Sequence, residues 1–204
     1  NGTLGGTYGI SDFTRPAWTA GRWPEKAALS FDRDERNCVA VAEHAALHLG
    51  GDITLAAWVR CPQPRKGGHI LSHRLDKAVN YQFGCFCTED PYYPGQLQFL
   101  KTRESGSLVY SSKRYEWTGD WTFLAVTHDR RTARFYVNGQ LFESIPFAAD
   151  WQAVPADLFI GDVPAIDGTT FGYAAFHGLI DEIAIFKKAL SAQDIQAMYR
   201  AGKP

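Results

Sequence analysis

The sequence lacks long apolar runs, basic clusters and the common catalytic signatures, and each shortage removes a class of protein. Its apolar stretches, such as Ile53 to Val59, fall far short of the about 20 residues a membrane span needs, so no membrane insertion is expected. Lys and Arg number 21 against 22 Asp and Glu, and no block of positive charge stands out, which argues against nucleic acid as a partner. No Gly-x-Ser-x-Gly elbow and no Gly-x-x-x-x-Gly-Lys-Ser/Thr loop is present, so neither serine-type acyl transfer nor phosphate cradling has a motif. The histidines His44, His48, His69, His73, His128 and His177 are scattered. His44 and His48 have i, i+4 spacing, but Gly50-Gly51 follows and no third ligand accompanies them. Cysteine is scarce: Cys38, Cys61, Cys85 and Cys87 allow three full pairings, and the sequence does not choose among them. At most one disulfide is expected, and Cys85-x-Cys87 is too tight for a zinc-binding pair.

What is abundant is alternation. Hydrophobic residues make up 45% of the chain and aromatics 14%, enough for a sizeable core and too much for disorder. Period-two runs occur at 28–31, 38–41, 53–60, 69–72, 81–86, 96–100 and 107–110, and Gly, Pro and Asp clusters separate them. The second half holds the clearest hairpin: Trp121 to His128, a polar turn at 129–132, then Ala133 to Val137. Asn138-Gly139 follows, a tight-turn pair because both residues tolerate positive φ. A long strand is predicted over 178–186. Many short alternating strands define a two-sheet antiparallel β-sandwich. One short C-terminal helix is expected, with Ser191 as N-cap, Asp194 in the first turn, an apolar stripe of Ile195, Met198 and Tyr199, and Gly202 as terminator. No repeat or linker divides the chain, so residues 1–204 read as one domain.

In order along the chain, Ala28-Leu29-Ser30-Phe31-Asp32, Ile53 to Val59, Trp121 to Thr127 with Phe135-Tyr136-Val137-Asn138-Gly139, Leu158-Phe159-Ile160-Gly161, Phe176 to Phe186 and Ala189 to Ile195 resemble the laminin G-like, concanavalin A-like jelly rolls. The resemblance runs from about Asn1 to Ala201 and implies a jelly-roll β-sandwich. Arg33 stands where relatives have glycine after Phe-Asp. A strand that many relatives carry before Asn1 to Leu4 is missing, which suggests a piece of a longer chain with other domains.

The resemblance also implies chemistry. Many relatives hold calcium at the sandwich edge through an aspartate of the last strand and loop carbonyls. Asp181 matches that aspartate, Asp32 and Asp34 are further carboxylate candidates, and the loop near Gly2 and Gly5 is a source of carbonyls. Jelly rolls of this kind also bind glycans, stacking aromatic rings on sugar faces. Tyr92 and Tyr93 in the Asp90 to Gly95 loop, then Trp117 and Trp151, are the candidate rings. His73, Arg74 and Asp76 are candidate hydrogen-bonding groups, whereas Trp58 and Trp121 read as core. Laminarinase-type relatives are hydrolases that need Glu-x-Asp-x-x-Glu, which is absent. Asp181 and Glu182 are adjacent on a strand, so they are expected to point to opposite faces. The expected function is therefore a non-catalytic binding module, secreted, periplasmic or cell-surface. Its expected partner is a glycan; the alternative is an extracellular protein in an adhesion or interaction role without sugar affinity.

Overall fold

The computed structural model describes residues 2–8, 11–61, 68–75, 78–86, 93–101, 108–149, 153–163 and 175–203. Its strands are β1 (Thr3–Leu4), β2 (Gly6–Tyr8), β3 (Ser11–Phe13), β4 (Ala17–Ala20), β5 (Ala27–Phe31), β6 (Val39–Val41), β7 (Ile53–Arg60), β8 (Gly68–Leu75) and β9 (Ala78–Cys85). They continue with β10 (Leu97–Leu100), β11 (Leu108–Tyr110), β12 (Thr122–His128), β13 (Thr132–Val137), β14 (Gln140–Pro146), β15 (Asp157–Ile160) and β16 (Gly178–Phe186), and one helix, α1 (Ala192–Gly202), closes the described chain. Two antiparallel sheets of seven strands form the sandwich, in the orders β1-β6-β15-β8-β9-β10-β11 and β14-β13-β12-β7-β16-β5-β4. This is the expected jelly-roll architecture.

Alternation explains the packing strand by strand. On β7, Ile53, Leu55, Ala57 and Val59 face the other sheet, where Leu71, Tyr81, Phe83, Leu97 and Phe99 meet them in one buried core. Burial of each large apolar side chain contributes about 1.5–3 kcal/mol, so this seam dominates the stability. The intervening β7 residues, Ala56 and Trp58, are also buried, because they join Phe123, Ala125, Tyr136 and Ile195 beneath α1. Trp58 is thus buried as expected, but on the outer face of its sheet. The helix begins as its cap residues demand: the Ser191 side chain accepts from the Asp194 N–H while the Asp194 carboxylate reaches back to the Ser191 backbone. Asn138 and Gly139 have φ of 49° and 76°, the tight turn that joins β13 to β14. Cys38 and Cys61 are buried thiols outside any disulfide. Burial, foremost, pushes the Cys38 thiol up to about 12.

Two N-terminal features were not foreseen. Residues 11–20 build strands β3 and β4, and the β2–β3 hairpin lays Tyr8 edge-on against Phe159, over a small cluster with Phe13, Cys38 and Ala40.

Candidate functional site

The predicted sugar-binding residues are not gathered into one place. Tyr92, Trp151 and Asp76 lie outside the described residues. Tyr93 stacks on Tyr110, with centroids 4.0 Å apart and planes 11° from parallel. Tyr110 accepts from Gln98 at 3.2 Å, Gln82 donates to the Gln98 carbonyl at 3.0 Å, and the Gln82 amide lies 2.7 Å from the His69 ring. Tyr93 thus ends a strip of buried amides and imidazole on the face of the sheet away from the core. Trp117 is half-buried: its indole N–H donates to the Phe86 carbonyl at 3.0 Å and its ring meets Tyr115 edge-on. His73 turns into the sandwich, fully buried and stacked on Tyr81 at 4.8 Å, where burial pushes its imidazole down to about 4. That corrects its reading as a surface hydrogen-bonding group. Arg74 is buried too, next along β8 where its pairing with β9 shifts register, and opposite Asp157 of β15.

The residues named for calcium do not converge either. Gly178 pairs with Phe31 and Ile180 with Leu29, where the pairing of β16 with β5 ends, so Asp181 lies past the Leu29 end of the ladder while Asp32 lies past its Phe31 end. One Asp32 oxygen accepts the Asp34 N–H at 2.8 Å. Gly2 lies against the Val39 side chain, and the Gly5 N–H donates to the Cys38 carbonyl. Asp181 already has a cation, since Arg22 Nε reaches its Oδ2 at 3.1 Å. A calcium shell needs about six to eight oxygens in one place, and these residues do not fit it. Among the described residues, no three His, Cys, Asp or Glu side chains group to hold a metal.

Asp181 and Glu182 depart from the strand rule. A bulge interrupts β16 between Asp181 and Ala184, and Glu182 adopts φ of 47°. The extra residue swings Glu182 round, so both carboxylates meet the same guanidinium: Arg22 Nε bonds Asp181 and Nη2 bonds Glu182. Lys26 Nζ takes the other Glu182 oxygen at 2.8 Å. Partial burial pushes the Glu182 carboxyl up, but bonds and charge from Lys26 and Arg22 outweigh it and hold the group below the usual carboxylate range. The pair converges on a cation rather than across an open gap.

The same bulge borders a cleft. Where the pairing of β16 with β5 stops at Ile180–Leu29, a cavity of about 330 Å³ opens at the sandwich edge. Leu29, Phe31, Val39, Ile160, Ile180 and Ile183 line it, with Asp181 and Glu182 on one wall and Trp18 at its margin. Trp18 pairs with Leu29, so its ring lies on the inner, core-facing side of its sheet. It nevertheless remains 65% exposed, because β4 is the last strand and its inner face is left open at the sandwich edge. Sequence reasoning passed over Trp18. The available signal was Pro16-Ala17-Trp18-Thr19-Ala20-Gly21, a short bounded strand with one large ring.

The chain belongs to the concanavalin A-like lectin/glucanases superfamily: the laminin G-type model of that family matches residues 34–196. Among solved structures it is similar to domain 4 of AbnA, a GH43 extracellular arabinanase from Geobacillus stearothermophilus, in complex with arabinotriose. The identity is 18% and the TM-score 0.70, over 97% of this chain and 87% of that one. It is also similar to the binding domain of botulinum neurotoxin DC in complex with rat synaptotagmin II, at 14% identity and TM-score 0.66, over 98% of this chain and 46% of that one. A third similarity is to botulinum neurotoxin type C, whose cell entry depends on interaction with two ganglioside molecules, at 16% identity and TM-score 0.68, over 98% and 46%. The chain therefore spans about half the length of these toxin binding domains. At such identities the likeness shows the fold. No curated protein matches the sequence.

Proposed function

We propose that this domain is a non-catalytic, extracellular carbohydrate-binding module and that the edge cleft beside Trp18 is its sugar site. The observation that carries the reading is Trp18 itself, a large ring 65% exposed beside a cavity of about 330 Å³. The ring is not merely exposed but borders that cavity, and the C–H face of a sugar ring is the flat, weakly apolar surface an indole stacks on. The walls are mostly aliphatic, while Glu182, which pairs with Lys26, is one of the lining residues and offers sugar hydroxyls a carboxylate acceptor. Superfamily membership and the arabinotriose and ganglioside associations of similar structures support the same reading. Hydrolysis has no support in the site, because its two acids are bound to one guanidinium and do not flank a gap the width of a glycosidic bond.

The test is a glycan panel that includes arabinotriose, followed by calorimetry on the hits. The reading expects at least one oligosaccharide to bind and Trp18→Ala to weaken it about tenfold or more, the scale of one lost stacking contact. Binding that Trp18→Ala leaves unchanged would remove the cleft as the site. A protein ligand captured in place of any sugar would overturn the carbohydrate reading in favour of an interaction domain.

A further inference from the structure

The Arg22 guanidinium sits where three parts of the chain meet. Its side chain is fully buried. Nε and Nη2 hold Asp181 and Glu182 of the cleft wall, while Nη1 donates to the Gly202 carbonyl at the end of α1. The guanidinium carbon lies 4.3 Å from the ring centroids of both Trp23 and Trp58. The end of α1 is seated closely on the same tryptophan: a Cβ on Gly202 would lie 2.6 Å from Trp58 Nε1, and Tyr199 stacks on Trp58 at 5.6 Å.

From this arrangement we infer that the cleft wall and the docking of the last turn of α1 form one coupled unit, with Arg22 as the positioning residue between them. The guanidinium is a rigid planar fork, so its donors cannot be satisfied independently. With Gly202 in place, Nη1 is filled and the remaining nitrogens are aimed at the bulge. If the last turn lifts away, the buried fork loses one acceptor and is free to re-aim, and Glu182, already in a left-handed conformation, loses the buried one of its two cations and keeps only the exposed Lys26. Coupling is reciprocal: a ligand that orders the wall tightens the helix end, and a contact that pulls on the helix end loosens the wall. The ligand half of this statement rests on the cleft being the sugar site; the coupling within the chain does not.

The experiment is amide hydrogen exchange along α1 in the full chain, with four proteins: wild type, Glu182→Gln, Arg22→Gln and the double variant. Coupling predicts that Glu182→Gln speeds exchange in the last turn by about threefold or more in the wild-type background and by less than about twofold once Arg22 is Gln. The first turn, held by its own Ser191–Asp194 cap, stays unchanged. A merely structural role for Arg22 would speed exchange along the whole helix and give equal Glu182→Gln effects in both backgrounds; either result overturns the inference, as does no effect of Glu182→Gln in the wild type. In a second arm, arabinotriose or another panel hit is added. Slower exchange in the last turn supports the ligand half, and confirmed binding with unchanged exchange refutes it. Absence of binding by any glycan refutes the carbohydrate reading and with it the ligand half, while the four-protein comparison still decides the coupling.

Discussion

Replacing Arg22 with Met keeps an apolar side chain of similar reach but removes the guanidinium that lies against Trp23 and Trp58 and pairs with Asp181, whose side chain is 9% exposed. Losing one partner of a buried ion pair strands the other in a poor solvent, which costs about 3–5 kcal/mol. The Gly202 carbonyl also loses a charged donor. The exposed Glu182–Lys26 pair survives and adds little either way. A loss near 4 kcal/mol lowers the melting temperature of a domain this size by roughly 8–16 °C. Calorimetry on Arg22→Met and on Arg22→Met/Asp181→Asn measures it. Neutralising the stranded carboxylate should recover at least half of the loss, because the cost lies in the unpaired charge. A single variant within about 1 kcal/mol of wild type, or a double variant no better than the single, would show that water already reaches Asp181 and refute the reasoning.

Three further outcomes follow from the packing. Gly161 has φ of 88°, and a Cβ there would lie 2.1 Å from the Phe31 ring, so Gly161→Ala should cost more than about 3 kcal/mol by urea unfolding. Burial, the largest cause in each case, pushes His69 down to about 3 and His73 to about 4, and lowers His128 as well. Unfolded histidines take up protons near pH 6.5 and His69 and His73 in the fold do not, so stability is full above that pH and falls as pH drops from 6.5 towards 4, by about 1.4 kcal/mol per unit for each of those two, with His128 adding in the same direction. A urea midpoint unchanged between pH 7 and 5 would contradict it. Ser191→Ala removes the cap and should destabilise the domain by about 1 kcal/mol, with faster exchange in the first turn of α1.

Much of this architecture was legible because it rests on local periodicity. Ile53 to Arg60 alternates, and its odd residues do enter the core; Asn138-Gly139 can hardly be other than a tight turn; Ser191 with Asp194 starts a helix wherever an apolar stripe follows. The site was less legible because it depends on breaks in those patterns. Strand logic sends Asp181 and Glu182 apart, and only the bulge in β16 brings them both to Arg22, 159 and 160 residues away in sequence. Tyr93 reads as a lone loop aromatic, whereas in the fold it stacks on Tyr110 of β11, the strand that pairs with β10. Trp58 and Trp18 are both mid-strand tryptophans preceded by alanine. What separates them is that α1 covers one and nothing described covers the other, a fact of tertiary assembly that no local window contains.

The most direct measurement is the indole N–H resonance of Trp18 during titration with a glycan that binds. Assignment comes from its disappearance in Trp18→Ala. The account predicts that this resonance moves in step with occupancy, while the half-buried indole of Trp117, tied to the Phe86 carbonyl, stays in place. Saturable glycan binding with the Trp18 resonance unmoved would contradict the assignment of the edge cleft as the binding site.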